Sequence, residues 1–193
     1  MNRHVLHTER LILRALDSKD APAIHRLAGA AEIADTTLTV PHPYPFHAAV
    51  EWIEKAHREW KAKTAFVFAI TLRETKEFIG GIGLHLTPQD QNAEMGFWIG
   101  IPFWNQGYCS EAGKAVMRFG FETLNLHRIF ARHFPRNLGS GRVMIKLGMK
   151  YEGHLREHVR KLDHFEDVMC YGILKNEWLD FNRQGAENAK KNS

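Results

Sequence analysis

Apolar residues form short runs or alternate with polar residues in some stretches of the chain, and recur at helical spacing in others. The first pattern is typical of β-strands and the second of amphipathic helices. The strand-like stretches are residues 8–16, 65–71, 77–86, 93–99, 128–134, 149–160 and 165–174. The helix-like stretches are residues 21–31, 47–61, 110–124 and 137–147. This order predicts a mixed α/β (α+β) domain with a mainly antiparallel central sheet of six to seven strands and about four helices.

Two stretches lack either pattern. Residues 36–46 carry Pro41, Pro43 and Pro45 and no acidic residue. Proline cannot continue a helix and restricts the residue before it, so we expect an extended loop there. From Arg183 the chain is polar without periodicity, which predicts a disordered tail over residues 183–193 after a single domain of residues 1–182.

Residues 103–112 join the strand-like stretch at 93–99 to the third helix-like stretch. A strand, a glycine-containing loop and a helix start aim several backbone N–H groups at one point, where the helix dipole adds partial positive charge. This arrangement suits a phosphate or pyrophosphate, and Gly107 lets the backbone approach the anion closely. Ser110 is expected to cap the helix, with Glu111 in its first turn. The segment matches neither G-x-G-x-x-G nor G-x-x-x-x-G-K-S/T, and on its own it equally describes an ordinary strand-to-helix turn.

Charge and composition limit the kinds of ligand and partner that we expect this chain to bind. Lysine and arginine number 26 against 22 aspartates and glutamates, a formal net charge of +4 spread along the chain. This suits an anionic ligand, but no basic cluster interleaves with aromatic residues, so no nucleic-acid partner is expected. Cys109 and Cys170 stand far apart and the twelve histidines show no metal-ligand spacing, so we expect neither a disulfide framework nor a metal. No signal-peptide pattern and no apolar run of about 18 residues occurs, so we expect a cytoplasmic protein without membrane contact.

Six motifs, in order along the chain, carry a resemblance to a known family. They are Thr8-Glu9-Arg10-Leu11-Ile12-Leu13-Arg14, Ala93-Glu94-Met95-Gly96-Phe97-Trp98-Ile99, Trp104 through Ala112, Asn137-x-x-Ser140-x-Arg142-Val143-x-x-Lys146-Leu147-Gly148-Met149, Tyr151-Glu152-Gly153-His154-Leu155-Arg156-Glu157 and Asp167-Val168-x-x-Tyr171. Together they resemble the GNAT superfamily of N-acetyltransferases, within the branch of the ribosomal-protein-alanine acetyltransferases, over about residues 8–181. The resemblance implies a GNAT-like sheet, acetyl-CoA as cosubstrate without a metal, and an acyl-CoA wedge where the strands at 97–99 and 129–134 splay apart.

The same resemblance assigns the coenzyme contacts. Backbone amides of the loop hold the pyrophosphate, and the wedge holds the pantetheine arm. The expected cofactor-binding residues are Phe97, Trp98, Ile99, Trp104, Asn105, Gln106, Gly107, Tyr108, Cys109, Ser110, Glu111 and Asn137. A backbone N–H near Phe97 or Trp98 is the candidate donor to the oxyanion. Asn105 stands where the family usually has Gly, and Asn tolerates left-handed conformations, so the loop can keep its shape.

Three residues are candidates for proton transfer. Many family members protonate the leaving thiolate with a Tyr in the helix after Asn137, but residues 138–149 contain none, and Ser140 is the candidate instead. Ser140 could equally serve only as a helix-capping side chain, and Asn137 could be an N-cap, a pantetheine contact or both. Glu94 and Glu157 are the candidate bases, since each is a charged residue among apolar neighbours in a strand. The alternatives are a salt bridge at the sheet edge for Glu94 and a solvated strand face for Glu157.

We therefore expect an N-acetyltransferase that moves an acetyl group from acetyl-CoA to a primary amine by direct attack in a ternary complex. An α-amine with a pKa of about 7.7–8.0 is roughly one-tenth neutral at pH 7, whereas a lysine amine is neutral at only a few parts in ten thousand. The absence of a readable acidic pair therefore favours a protein or peptide N-terminus, as does the branch that the motifs resemble. The alternatives are a small-molecule amine acetyltransferase and a non-catalytic acyl-CoA-binding domain. A monomer and a homodimer are both compatible with the sequence.

Overall fold

A computed structural model describes residues 4–191 of the chain, with side chains through residue 184. The strands are β1 (Leu6–His7), β2 (Leu11–Ala15), β3 (Ala65–Leu72), β4 (Phe78–Thr87), β5 (Asn92–Ile99), β6 (Arg128–His133), β7 (Lys150–Lys161) and β8 (His164–Leu174). The helices are α1 (Ala21–Ala28), α2 (Ala31–Thr36), α3 (Phe46–Ala62), α4 (Tyr108–Arg118), α5 (Leu138–Lys146) and α6 (Lys175–Lys191). A π-helical turn, Phe119–Thr123, extends α4.

The strands form one sheet in the order β1-β2-β3-β4-β5-β6-β8-β7. Every neighbouring pair is antiparallel except β5 and β6, which run parallel. A parallel neighbour requires a crossover connection, and α4 with its π-helical turn supplies it. The start of α4 is thereby fixed close to the end of β5, which is where a strand–loop–helix site must form.

Helices cover both faces of the sheet, and β3 shows how the core divides. Phe66, Phe68 and Ile70 belong to a cluster shared with α4, α5 and α6. Val67 and Ala69, which alternate with them, belong to a second cluster shared with α1 and α3. Because successive strand residues point to opposite faces, a strand covered on both sides is mostly apolar, and in β3 every residue except Thr71 is apolar.

The predicted fold class is confirmed, although the structure has more strands and helices than expected. The stretch at residues 8–16 contains β2 alone, and the short strand β1 precedes it. The N–H of Thr8 donates to the carbonyl of Leu11 at 3.0 Å and closes the turn between the two strands. Helix α2 was not predicted, since its six residues are too few to display a helical period. None of the helices within residues 4–191 is both long and apolar enough to cross a membrane.

Helix α6 also differs from the prediction, because it continues through residues 183–191 where a disordered tail is expected. Trp178 anchors its first turns, with 6% of its surface exposed and its ring 5.1 Å from that of Phe121. The following residues include Ala, Glu, Gln, Arg and Lys, which are good helix formers and extend a helix that packing has started. Residues 192–193 of the predicted tail lie outside the described residues.

Candidate active site

Strands β5 and β6 are paired at one end only. Their parallel register joins Asn92, Ala93 and Glu94 to Arg128, Ile129 and Phe130, and beyond these residues the strands separate. On their far sides β5 remains paired with β4 through Ile99 and β6 with β8 through His133. The facing edges beyond the separation therefore present backbone N–H and C=O groups without a strand partner. This opening lies between the strands where the family resemblance implies a wedge, and we refer to it as the wedge.

The loop after β5 turns into α4 through two left-handed residues. Asn105 has a φ of 60° and Gly107 a φ of 82°, conformations that Asn tolerates and Gly adopts freely. Helix α4 begins at Tyr108, with Gly107 as its N-cap residue and no side-chain cap. The prediction that Ser110 caps this helix is wrong, because the helix starts two residues earlier and Ser110 lies inside its first turn. The first N–H groups of α4 have no partner within the helix and are available to an anion.

Side chains within the loop after β5 hydrogen-bond to backbone carbonyls of the same segment. The Trp104 Nε1 donates to the carbonyl of Ile99 at 2.5 Å, and the Gln106 Nε2 donates to the carbonyl of Pro102 at 3.0 Å. From the turn between β1 and β2, the Arg10 Nη1 donates to the carbonyl of Gln106 at 3.1 Å. The loop is therefore held in shape by hydrogen bonds within the protein.

Glu111 acts as a further anchor. Its Oε1 accepts from the Thr8 hydroxyl at 2.6 Å and from the Arg10 N–H at 2.9 Å, and its Oε2 accepts from the Arg10 Nε at 2.7 Å. Burial raises the pKa of the Glu111 carboxyl, but the hydrogen bonds from Thr8 and Arg10 outweigh it and hold the pKa below its ordinary value of 4.5. The Glu111 N–H donates to the carbonyl of Gly107 at 3.0 Å. The carboxylate and the backbone N–H of Glu111 therefore both bond within the protein, whereas the family resemblance implies that Glu111 contacts the coenzyme.

A cavity of about 530 Å³ lies between this loop, the first turn of α4 and the first turns of α5. We call it the coenzyme-side cavity. Of the expected cofactor residues, Phe97, Trp98, Ile99, Trp104, Asn105, Gly107, Tyr108, Cys109, Ser110 and Asn137 line it, whereas Gln106 and Glu111 do not. Arg142 and Lys146 supply positive charge along the opposite wall, whereas Arg136, which also lines it, is ion-paired with Asp35 and Glu166. Sequence analysis gave these three residues no role, although the spacing of Arg142 and Lys146 places both on one face of α5.

The start of α5 is capped by Asn137. Its Oδ1 accepts from the Ser140 N–H at 3.0 Å, and its Nδ2 donates to the carbonyl of Thr36 at 3.4 Å. Asn137 is therefore an N-cap, one of the two roles left open for it. The Ser140 side chain is not the cap of this helix, so its hydroxyl does not have to satisfy the helix start.

A second cavity, of about 990 Å³, lies on the other side of the wedge, and we call it the acceptor-side cavity. Its walls come from the segment after α2, from α3, from β4, β5 and β6, and from the hairpin of β7 and β8. The residues that line both cavities are Thr36, Thr37, Phe97, Trp98, Asn137 and Ser140. The two cavities therefore meet at the wedge, with Ser140 at the junction.

The two candidate bases, Glu94 and Glu157, lie in different environments. The Nε and Nη2 of Arg132 each donate to a carboxylate oxygen of Glu94 at 2.9 Å, and this ion pair lines the acceptor-side cavity. Glu157 lies in an irregular part of β7 with a φ of 48°, and its N–H donates to the Oδ1 of Asp167 at 2.7 Å. Its side chain is exposed and lines neither cavity, which fits the solvated strand face given as its alternative interpretation, and the geometry does not favour Glu157 as a base. Glu94 forms the salt bridge that was its alternative interpretation.

His133 is a buried polar residue that sequence analysis did not single out. It lines the acceptor-side cavity and has 9% of its surface exposed. Its Nδ1 lies 2.8 Å from the carbonyl of Phe134, and because a carbonyl only accepts, the Nδ1 carries the proton. Its Nε2 is buried without a hydrogen-bond partner in the described part of the chain. No spacing in the sequence marks this histidine, since the burial comes from the way α5 packs on β6.

Two further features bear on the chemistry of the site. Burial raises the pKa of the Cys109 thiol to about 12, so this thiol is not ionised at neutral pH and is a poor nucleophile. Among the residues whose side chains are described, no group of three or more His, Cys, Asp or Glu residues could hold a metal ion.

Comparison with known proteins agrees with this geometry. Residues 10–150 match the family described as an acetyltransferase (GNAT) domain. Uncharacterized N-acetyltransferase YoaA of Bacillus subtilis (strain 168) is 33% identical over 89% of this chain and 97% of its own. The ribosomal protein uS5-alanine N-acetyltransferase of Escherichia coli (strain K12) is 25% identical over 90% of this chain and 92% of its own. The crystal structure of an acetyltransferase (GNAT family) from Bacillus anthracis superposes with a TM-score of 0.80 at 27% identity, covering 90% of this chain and 99% of that one. The chain belongs to the GNAT family of N-acetyltransferases.

Proposed function

We propose that the protein transfers an acetyl group from acetyl-CoA to a primary amine, and that the acceptor is a peptide or protein N-terminus. The observation that carries this proposal is the junction of two cavities at the wedge, where Phe97, Trp98 and Ser140 line both. Direct attack in a ternary complex requires two substrate sites whose reacting atoms meet at one point. The coenzyme occupies the coenzyme-side cavity, and the amine enters from the acceptor-side cavity.

The coenzyme-side cavity has the groups that a nucleotide-bearing coenzyme requires. The first N–H groups of α4 and the loop before it bind the pyrophosphate. At Gly107 a Cβ would meet only the Arg10 Nη2, at 3.5 Å, so the backbone there is open to close approach. Arg142 and Lys146 are exposed on the facing wall and attract the remaining phosphate charge. Along the facing edges of β5 and β6, the unpaired backbone C=O groups accept hydrogen bonds from the amides of an extended pantetheine arm. The unpaired N–H groups donate hydrogen bonds to the same amides.

The wedge also carries the groups that act on the reacting atoms. Acetyl-CoA, when bound, supplies a thioester carbonyl that an amine can attack. A backbone N–H near Phe97 or Trp98 donates to the carbonyl oxygen as it gains negative charge. Ser140, at the junction, donates a hydrogen bond to the departing sulfur. A thiol pKa near 8.5 makes the thiolate a fair leaving group already, so the gain from Ser140 is modest.

The attacking amine must be neutral, and none of the described residues that line both cavities carries a carboxylate to remove its proton. Glu94 lines the acceptor-side cavity, but both of its carboxylate oxygens already accept hydrogen bonds from Arg132. An α-amine is roughly one-tenth neutral at pH 7 and requires little help, which water can provide. The site therefore suits an α-amine far better than a lysine side chain.

The charges of the acceptor-side cavity favour a peptide over a polycation. Its acidic residues are Glu51 and Glu94, and its basic residues are Lys55, Arg58 and Arg132. A cavity with no excess of carboxylates does not attract a polyamine or an aminoglycoside. The name of the Escherichia coli relative, which specifies an alanine of a ribosomal protein, adds support for an N-terminal acceptor.

The proposal is tested by a competition among acceptors. The enzyme is given acetyl-CoA, a lysine-containing peptide that starts with Ala or Ser, spermidine and kanamycin, and acetylation is followed by mass spectrometry. The same peptide with a blocked N-terminus is the matched control. We expect acetylation at the free N-terminus and a higher kcat/KM for the peptide than for either small amine. Acetylation only at lysine, or a small amine that exceeds every peptide, contradicts the proposed acceptor. Tight acetyl-CoA binding with no acceptor-dependent thiol release identifies a non-catalytic acyl-CoA-binding domain instead.

A further inference from the structure

The floor of the acceptor-side cavity has a gap in its middle. Strands β4 and β5 pair Gly81 with Trp98, Gly83 with Gly96 and His85 with Glu94, and all six residues line this cavity. Cross-strand partners share a face of the sheet. The pair of glycines therefore lies between one pair in which only Trp98 carries a side chain and another in which both His85 and Glu94 do. We call the space above Gly83 and Gly96, with its two walls, the trough.

One wall of the trough is aromatic and the other is charged. The rings of Trp52 and Trp98 lie 6.1 Å apart and form the first wall. A Cβ on Gly81 would lie 2.7 Å from the Trp52 ring, so Gly81 is what allows this ring to pack on the sheet. The ion pair of Glu94 and Arg132 forms the second wall. Trp98 and Glu94 each stand about 7 Å from Gly96 along β5, which leaves room for a flat ring between them.

Packing does not explain the glycine at position 96. A Cβ on Gly83 would lie 3.0 Å from a methyl group of Val67, so the neighbouring strand needs that glycine. At Gly96, by contrast, no atom lies within 4 Å of the position that a Cβ would take, and its φ is not in the left-handed region. A side chain at this position would fit the fold and would fill the trough. The open space is therefore available to a ligand.

We propose that Gly96 is a specificity-determining residue, and that the trough above it receives a large, flat apolar side chain on the first residue of the acceptor. This inference rests on the proposed function, because the amine must reach the wedge. Phe97 lines both cavities, so an amine that reacts at the wedge lies near Phe97. Gly96 directly precedes Phe97, and the acceptor atoms one or two bonds from that amine therefore lie above Gly96. The indole rings offer stacking to a flat side chain. Alanine would leave most of the trough empty.

The peptide backbone also has partners in this cavity. The Arg132 guanidinium and the Glu94 carboxylate offer a donor and an acceptor on the charged wall. An occupant that combines a flat apolar side chain with amide groups uses both walls, which a simple alkylamine does not.

The test compares peptides that differ only in their first residue, Ala, Leu or Phe. Binding is measured by calorimetry in the presence of saturating coenzyme A, and turnover is measured separately with acetyl-CoA. We expect the Phe peptide to bind the wild type at least about tenfold more tightly than the Ala peptide. In Gly96→Val this ratio should fall below about twofold, while binding of the Ala peptide stays within about threefold of the wild type. Gly153→Val is the matched control, since Gly153 is also a strand glycine with no atom within 4 Å of a Cβ, and it lines neither cavity.

The outcomes distinguish failure of the trough from failure of the proposed function. Equal binding of the Ala and Phe peptides, or a ratio unchanged in Gly96→Val, overturns the role of Gly96 even if peptides are acetylated. A ratio that depends on Gly96, without acetylation of any peptide, supports the trough and overturns the proposed function. If no peptide binds, both are overturned. Should Gly96→Val fail to fold, Gly96→Ala adds a single methyl group to the same open space and replaces it in every comparison.

Discussion

The two cavities that meet at the wedge are built in different ways. The coenzyme-side cavity takes much of its wall from one continuous segment, residues 97–110, and most of the rest from the first turns of α5. The acceptor-side cavity is assembled from α3, three strands and the hairpin of β7 and β8, which are far apart in the sequence. A site carried by one segment can be recognised from local residue types, whereas a site assembled from distant elements becomes visible only in the folded chain.

The hydrogen bonds that hold the two cavities in shape also differ, being local on the coenzyme side and long-range on the acceptor side. The coenzyme loop is held largely by its own hydrogen bonds and by Arg10. The segment that enters the acceptor side is held from a distance, because the Lys161 Nζ donates to the carbonyls of Ala34 at 2.6 Å and Asp35 at 2.8 Å. These carbonyls belong to the last turn of α2, where a positive group also interacts favourably with the helix dipole. The two sides should therefore respond to separate substitutions, and the predictions below test that independence.

The largest effect is expected on the coenzyme side. Gly107→Asp places a carboxylate where the pyrophosphate binds, and should weaken coenzyme A binding at least about tenfold, or about 1.4 kcal/mol. Gly107→Asn is the matched control, since the Asn side chain has nearly the same shape as that of Asp but carries no charge. Asn also tolerates the left-handed φ of 82° at this position. Calorimetry on both variants measures the difference. Equal binding by the wild type and a folded Gly107→Asp would remove the loop from the coenzyme site.

The next effect is expected at the junction. Ser140→Ala should lower kcat about five- to tenfold, because the departing sulfur loses a hydrogen bond. Coenzyme A binding and the melting temperature should not change, since Asn137 caps α5. Asn137→Ala is the comparison, and should cost about 1 kcal/mol of stability through loss of that cap. An unchanged kcat in Ser140→Ala excludes its hydroxyl from the reaction.

A third prediction concerns pH and the anchor of the coenzyme loop. Because the folded-state pKa of Glu111 lies below 4.5, its stabilisation is complete above that value and is lost as the pH falls through the folded-state pKa. Glu111→Gln should therefore be about 1 kcal/mol less stable than the wild type at pH 7, with the difference shrinking once the pH falls below 4.5 and through the folded-state pKa. Thermal unfolding across this range measures it. Glu122→Gln, an exposed change farther along the same segment, is the control, and a pH-independent difference for Glu111→Gln would contradict the account.

A smaller effect is expected on the acceptor side. The end of α2 is held by Lys161 and by Arg136, whose Nη2 also donates to the carbonyl of Asp35 at 2.8 Å. Lys161→Met removes one of these two donors, and should raise the KM for the peptide about threefold, the size of a favourable helix-terminus interaction. The affinity for coenzyme A should stay the same. Initial-rate measurements with each substrate varied separate the two constants. Lys175→Met, at a residue that lines neither cavity, is the control. Equal losses for both substrates would show that the two sides are not independent.

The smallest effects are expected at the carboxylates first considered as bases. Glu94→Gln should lower kcat less than about threefold, because the α-amine needs little help in losing its proton. Glu157→Gln should leave the rate unchanged, since its exposed side chain lines neither cavity. A loss of about a hundredfold in Glu94→Gln, the size typical of a general base, would contradict the account of the proton.

The features that were predicted from the sequence are those set by local chemistry. The strand, loop and helix around Gly107 follow from residue types within one short segment. The left-handed backbone at Asn105 was expected from the family resemblance, in which Asn105 stands at a usual Gly position. Asn137 was recognised as a helix cap because capping depends on one side chain and the N–H three residues later. The mainly antiparallel sheet followed from the spacing of the strand-like stretches.

The features that were missed depend on contacts between distant residues. Glu94 and Glu157 look alike in the sequence, and only the position of β6 places Arg132 beside Glu94. The burial of His133 depends on α5 packing against β6, and the trough on the register of β4 with β5. Ser110 was placed at the cap because Ser is a common N-cap, whereas Gly107 adopts the backbone turn that starts the helix two residues earlier.

The central claim is that both substrates are bound at once, on opposite sides of the wedge, and react directly. Initial rates measured with acetyl-CoA and an acceptor peptide both varied test it most directly. The account predicts double-reciprocal lines that intersect, as a ternary complex requires. Parallel lines, which indicate that the acetyl group is first transferred to the enzyme, would contradict it.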